Sequence, residues 1–202
     1  MRKGFTFVLI IAALLIVRPA AAKDIGFMPS TDVGMTWFFL YDDNSRRIQV
    51  DPALSYGVTF TQQFDFTWAR NVSFDLSYFH AEARGLWDRE GDTDDFQFDM
   101  VSDYTAGNIG YFFSGRRIHP YIAAGLGAMY TKFQTLGNEK VWETDPLINF
   151  LGGLDYTVWE VGSGLQALNL GARLRYAYLF PREFVHAGFN AINVMFRLQL
   201  RF

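Results

Sequence analysis

Six charged side chains fall on the same face of alternating segments: Asp75, Asp155, Arg173, Arg175, Arg197 and Arg201. Carboxylates and guanidiniums so placed can line an ion path, or they can neutralise one another, because a lone buried ion costs several kcal/mol. The expectation is that they interlock as a polar plug and leave no wide aqueous pore, with an ion-conducting path as the alternative. Nucleophilic catalysis needs a nucleophile and a base within reach. The chain offers three histidines, His80, His119 and His186, and no cysteine. His119 precedes Pro120 at a strand start, where turn packing accounts for it. His80 lies near Glu82 toward a strand end, and His186 is followed two residues later by Gly188. No catalytic residue is therefore assigned. The acidic stretch from Asp88 to Asp95 has alternating oxygen ligands but lacks the twelve-residue calcium loop with its terminal Glu. Neither a metal nor a cofactor is expected.

The elements that must carry these groups alternate with a period of two. In the last segment Ile192, Val194, Phe196, Leu198, Leu200 and Phe202 share one face, opposite Asn193, Met195, Arg197, Gln199 and Arg201. A slip of one residue would turn the arginines into the apolar surroundings, so the register is strongly set. Leu168 to Tyr178, Ile148 to Val158, Ile122 to Tyr130, Val72 to Tyr78 and Leu54 to Phe60 repeat the pattern. Small residues such as Gly125 and Gly127 on the inner face let opposed walls approach. Val33 to Tyr41 supplies a further strand with two rather apolar faces, and a blurred one spans 99–113, whose facing the alternation leaves open. That makes eight segments of the length a bilayer-spanning strand requires, separated alternately by longer polar intervals and by tight turns. The longer intervals are 42–51, 83–95, 134–146 and 181–188. The fold expected is all-β, an eight-stranded antiparallel up-and-down transmembrane β-barrel.

The N-terminus reads as an export signal. Arg2 and Lys3 precede an apolar run from Phe5 to Val17, broken by Arg18-Pro19 and followed by Ala20-Ala21-Ala22. The division expected is a signal peptide over 1–22 and a barrel domain over 23–202. Half of the residues are hydrophobic and 18% aromatic, yet the apolar positions alternate rather than cluster. Without cysteine an exported chain has no disulfides, and closure of a barrel supplies another constraint. The formal charge is -3; removing Arg2, Lys3 and Arg18 leaves 15 basic against 21 acidic residues, or -6. That balance excludes the basic face that nucleic acid calls for, and suits a surface presented to solvent or to ion-bridged lipopolysaccharide. Rings near strand ends, among them Trp37, Tyr41, Phe64, Trp68, Tyr111, Tyr130 and Trp159, read as interface girdles. Trp87 and Trp142 lie in or beside the longer intervals, where a sugar-stacking role is the alternative.

Two stretches carry a family resemblance. The alternating end at Phe196, Leu198, Leu200 and Phe202 resembles the assembly signal of bacterial outer-membrane proteins, which implies recognition by the barrel-assembly machinery. The run Gly107-Asn-Ile-Gly-Tyr-Phe-Phe113, a short basic turn, and then Pro120-Tyr-Ile-Ala-Ala-Gly-Leu-Gly127 resemble small barrels of the OmpA/OmpW-like group. The ending Phe189-Asn-Ala-Ile-Asn-Val194 is distantly similar to lipid A deacylase barrels. Their His-x-Ser-Asn motif would fall near Tyr178 and Phe180, which are neither His nor Ser. The resemblance implies residence in the outer membrane, in contact with its lipid and lipopolysaccharide. Three roles follow as expectations. The first is a structural or surface-interaction barrel with a charged, plugged lumen. The alternatives are an OmpW-like conduit for a small hydrophobic ligand and a lipid A-modifying hydrolase, the latter disfavoured because its motif is absent.

Overall fold

The structure is a computed structural model, and it describes residues 26–41, 47–64, 71–87, 96–113, 115, 117–135, 140–163, 165–180 and 188–202. Every long regular element among them is a strand: β1 (Gly26–Tyr41), β2 (Arg47–Val50), β3 (Ala53–Phe64), β4 (Val72–Trp87), β5 (Phe96–Phe112), β6 (Ile118–Thr135), β7 (Lys140–Ser163), β8 (Leu165–Leu179) and β9 (Gly188–Arg201). Both β2 and β3 pair with β1 on one side and β4 on the other, so together they make one stave. The interruption falls at Asp51-Pro52, where proline has no N–H for the ladder, and the Asp51 amide donates to the Arg84 carbonyl at 2.8 Å. The remaining strands pair in sequence, and β1 pairs with β9 over Ser30–Tyr41. Eight staves thus close into a ring in which each stave pairs with a neighbour on both sides.

The ring is sheared. From Val33 the register runs through Tyr56, His80, Asp103 and Tyr130 to Thr144 on β7. In the other direction it runs through Phe196 and Ala172 to Leu154 on the same strand. The two arrivals differ by ten residues, and a stagger of that size forces the strands to tilt against the barrel axis. The lower end of the barrel holds Gly26, Phe64, Val72, Phe112 and Arg201. The upper end holds Tyr41, Trp87, Thr135 and Gly188. Asn71 enters the turn before β4 with φ 64°, a left-handed conformation that Asn tolerates.

Alternation decides which side chains face out. Ile109, Ile122, Leu126, Phe150, Leu174 and Phe196 are all more than half exposed, and Phe196 reaches 75%. So large a continuous apolar surface is unstable against water and belongs against hydrocarbon. The facing of 99–113 is settled: even-numbered residues point inward and odd-numbered ones outward. Its alternation is blurred in sequence because Asp99 and Asp103 face outward near the upper end, while inward Tyr104 and Met100 are apolar. On β9, Phe196→Arg should cost about 2–4 kcal/mol in lipid vesicles, the depth-dependent penalty of a cation against hydrocarbon. Equilibrium unfolding by denaturant measures it; a substitution without measurable cost would place that face in water.

The strands are 12 to 24 residues long apart from β2, more than the 9–11 or so that span a bilayer. Several intervals read as loops are therefore strand: β1 starts at Gly26 rather than Val33, β4 runs on to Trp87, and β7 begins at Lys140, with Pro146 inside it. The extra length shows outside as a change of chemistry along β4–β7. Apolar or small rows such as Leu76–Gly107–Leu126–Ile148 give way upward to Glu82–Val101–Lys132–Trp142 and then Arg84–Asp99–Gln134–Lys140.

Candidate functional site: the barrel interior and the outer rim

The interior has two tiers. In the lower one, strands β1, β3, β7, β8 and β9 place charged and hydroxyl side chains on their inner faces at heights that let them meet. Asp32 stands between two arginines: its Oδ2 lies 3.9 Å from Arg173 Nη1 and its Oδ1 3.7 Å from Arg197 Nε. Arg197 Nη1 reaches Asp155 Oδ2 at 3.5 Å. Hydroxyls complete the set. Thr59 donates to Asp32 at 3.0 Å and accepts from Arg173 at 3.1 Å. Arg197 donates to Ser30 at 3.0 Å and to Thr61 at 3.2 Å. Arg173 Nε donates to the Tyr121 hydroxyl at 2.7 Å, and both guanidiniums flank the Tyr121 ring. Tyr121 lies against Gly153, where a Cβ would come within 2.5 Å of the ring, so the absence of a side chain on β7 makes the shelf for it. Asp32, Arg173 and Arg197 are all buried. At that depth a charge is tolerable only when paired and hydrogen-bonded.

Below this set the lumen widens into a polar vestibule of about 200 Å³ lined by Gln63, Asn71, His119, Asp155, Asn169, Gln199 and Arg201, among others. Thr157 donates to Asn169 at 2.9 Å, Asn169 donates to Gln199 at 3.0 Å, and His119 Nε2 lies 3.2 Å from Thr157 Oγ1. The upper tier is mainly apolar, although Glu143 and Asp145 are buried on its β7 side. Phe38, Leu40, Phe79, Met100, Phe133, Leu147, Leu179 and Phe189 form one buried cluster there, with tilted ring contacts between Phe38 and Phe189 and between Phe79 and Tyr104.

On the outer wall, at the level where apolar rows give way to charged ones, His80 Nδ1 lies 2.9 Å from Asp103 Oδ1 and His80 Nε2 3.2 Å from Glu82 Oε1. Tyr78 donates to Asp103 at 2.6 Å, and the Tyr56 ring lies 5.2 Å from the imidazole. Tyr130 and Trp142 stack nearby at 5.3 Å, with Lys132 over the indole.

The sequence matches no family model and no curated protein. Likeness is found in the backbone. The crystal structure of Neisserial surface protein A superposes with a TM-score of 0.54 at 14% identity, covering 90% of this chain and 99% of that one. The attachment invasion locus protein Ail of Yersinia pestis follows at 0.47 and 13% identity, covering 87% of this chain and 98% of that one. The N-terminal β-barrel domain of Pseudomonas aeruginosa OprF follows at 0.45 and 15%, covering 87% and 97%. The fold is that of the small outer-membrane β-barrels.

Within this barrel the residues singled out from sequence separate into three places. Asp155, Arg173 and Arg197 meet in the lower tier. Asp75 is buried on the inner face of β4 beside Thr61 and Asn108 in register. Arg201 lies apart from them at the vestibule mouth, and Arg175 points into the upper tier. Its guanidinium carbon stands 3.8 Å from the Phe79 ring centroid and 4.6 Å from that of Tyr104. Charge is not confined to the lower part of the lumen: Arg175 stands in the upper tier, and Glu143 and Asp145 are buried on the inner face of β7 at that level. The central residue of the lower tier, Asp32, escaped sequence reading. Its signal was the inner-face series Ser30, Asp32, Gly34, Thr36, hidden by starting the first strand at Val33. Phe196, Leu198 and Phe202 all face outward, while Leu200 is partly covered. Trp142 is a strand residue of β7 stacked on the outer wall, whereas residues 1–25, the acidic stretch 88–95, His186 and Trp68 lie outside the described residues.

Proposed function

We propose that this protein is a closed outer-membrane barrel with a structural and surface-displaying role and no through-pore. One observation supports it above the rest: the ion-paired lower tier and the largely apolar cluster above it fill the lumen at successive heights. An ion would have to break the Asp32–Arg173–Arg197 contacts below and part the Phe38–Met100–Phe189 cluster above. The lower end faces the periplasm and the upper end, with its longer connections, faces outward. On this reading the aromatic and charged outer rows meet the lipid and lipopolysaccharide of the outer leaflet. The outward residues of β9, Phe196, Leu198, Leu200 and Phe202, serve the barrel-assembly machinery, and nucleic acid is not a partner. In planar bilayers the purified full chain is expected to give no stable single-channel steps. Sustained large conductance would overturn the reading.

The apolar upper tier is what favours a second reading, a conduit for small hydrophobic molecules, since a solute of that kind would be at home among Phe38, Leu40 and Phe189. It ranks second because those side chains fill the space themselves. Hydrolysis ranks below both. The imidazole of His80 has each of its nitrogens engaged by a carboxylate, which leaves neither to activate a nucleophile.

A further inference from the structure

No carboxylate pairs with the inner guanidinium of Arg175 among the described residues. Asp32, Asp75 and Asp155 lie in the lower tier, and Glu143 and Asp145 are buried higher up on the inner face of β7, but no ion pair joins any of them to Arg175, which rises among the rings of the upper tier and is only 1% exposed. Phe79 and Tyr104 lie close to it at 3.8 and 4.6 Å from the guanidinium carbon. Ring faces attract a cation, most strongly when it is desolvated. They accept no conventional hydrogen bond in the guanidinium plane, however, where its five N–H groups point. Nε and Nη2 of Arg175 have no hydrogen-bond partner among the described residues, and neither has Oγ of the buried Ser55.

These donors surround one small cavity. It holds about 20 Å³, room for a single water-sized occupant, and is lined by Arg175, Ser55, Thr36, Asn193, Ser102 and Tyr104, with His80 and apolar residues making up the rest of the wall. Several of the other polar groups on the wall are committed to one another. Asn193 donates to Thr36, so the Thr36 oxygen is occupied as an acceptor while its proton remains to be given. Tyr104 accepts from Asn149, and Ser102 pairs with Thr131 at 3.5 Å. What points at the cavity is therefore a positive charge and a surplus of donors. A neutral occupant leaves a buried cation without a counter-ion in contact, which is unfavourable at that depth.

We propose that Arg175, with Ser55 and Thr36, forms an internal binding site for one small monatomic anion of the halide class, chloride under ordinary conditions. Such an ion is close to water in size, accepts from every direction and places a negative charge in contact with Arg175, which no carboxylate among the described residues does. Polyatomic anions such as gluconate and sulfate are too large for the cavity.

The test is made on the full chain refolded into detergent micelles, in chloride or bromide and in gluconate at matched ionic strength. The unfolding midpoint is expected to be higher in either halide and to rise with halide concentration until the site saturates. The halide effect is lost in Arg175→Met and at least halved in Ser55→Ala. Crystals grown in bromide should show one anomalous peak in contact with Arg175 and Ser55. Identical midpoints in halide and gluconate, or a site refined as water with no anomalous signal, would overturn the proposal. So would a bromide peak without any halide-dependent shift, which means occupancy at crystal concentration only. If Arg175→Met fails to fold, Ser55→Ala decides, because it keeps the charge and removes one donor; an unchanged halide response in it counts against the site.

Discussion

A Gly34→Val chain is expected not to form the barrel at all. Gly34 lies on β1 where that strand meets β9, opposite Met195. A Cβ placed there would stand 2.0 Å from the Val194 carbonyl oxygen and 2.6 Å from the Met195 Cα. Both are backbone atoms, so no side-chain rotation relieves the clash and the two strands must separate. Separation strips ladder bonds at the closing seam, and each backbone group left unsatisfied in hydrocarbon costs several kcal/mol. A handful of such losses exceeds the 5–15 kcal/mol or so by which folded domains outlast their unfolded chains. The measurement is the gel-mobility difference between boiled and unboiled samples after refolding into detergent. Gly107→Ala is the control: a Cβ there meets only the Phe74 ring, at 3.4 Å, and the variant should fold as the parent does. A folded Gly34→Val barrel would mean that the seam is looser than described.

Asp32→Ala carries the second largest effect, a loss of about 3–5 kcal/mol in unfolding free energy, because one carboxylate faces two buried guanidiniums. Removing it leaves Arg173 without an ion-pair partner at these distances and Arg197 with Asp155 alone, at 3.5 Å. The cost belongs to the stranded cations rather than to the bonds themselves. A second substitution that removes a cation should therefore recover part of it: Asp32→Ala with Arg173→Met is expected to be more stable than Asp32→Ala alone. Denaturant titration of the single and double variants in micelles measures the coupling. Additive losses would show that the three charges do not act as a unit.

The lower tier was half legible in the sequence, and the reason lies in what each strand presents to its two sides. On β8 and β9, Arg173 and Arg197 alternate with large apolar residues, so only one facing keeps the arginines out of hydrocarbon. On β1 the contrast fails, because Asp32 is flanked by Thr31 and Val33 and shares its face with Gly34, Phe38 and Leu40. The upper tier was harder still. Above the level of His80 and Asp103 the outer face meets headgroups and water, so outward residues turn polar: Glu82, Arg84, Asp99, Lys132. Segments that pair as strand then carry the composition of loops. The ring of eight staves survived this because its count depends on the turns and on the central, lipid-facing rows. The pairing of Arg175 with rings instead of acids had no counterpart in spacing at all, since it depends on how far one long side chain climbs.

The wall of β4–β7 and the wall of β1, β8 and β9 do not end alike. Along the first, acids, lysines and an arginine begin four residues beyond Leu76; along the second, Trp37, Phe39, Tyr178 and Phe180 carry rings to the last described turn of strand. A bilayer surface meeting both would be high on one flank and low on the other, so the cylinder stands with one shoulder bare and the opposite one sunk.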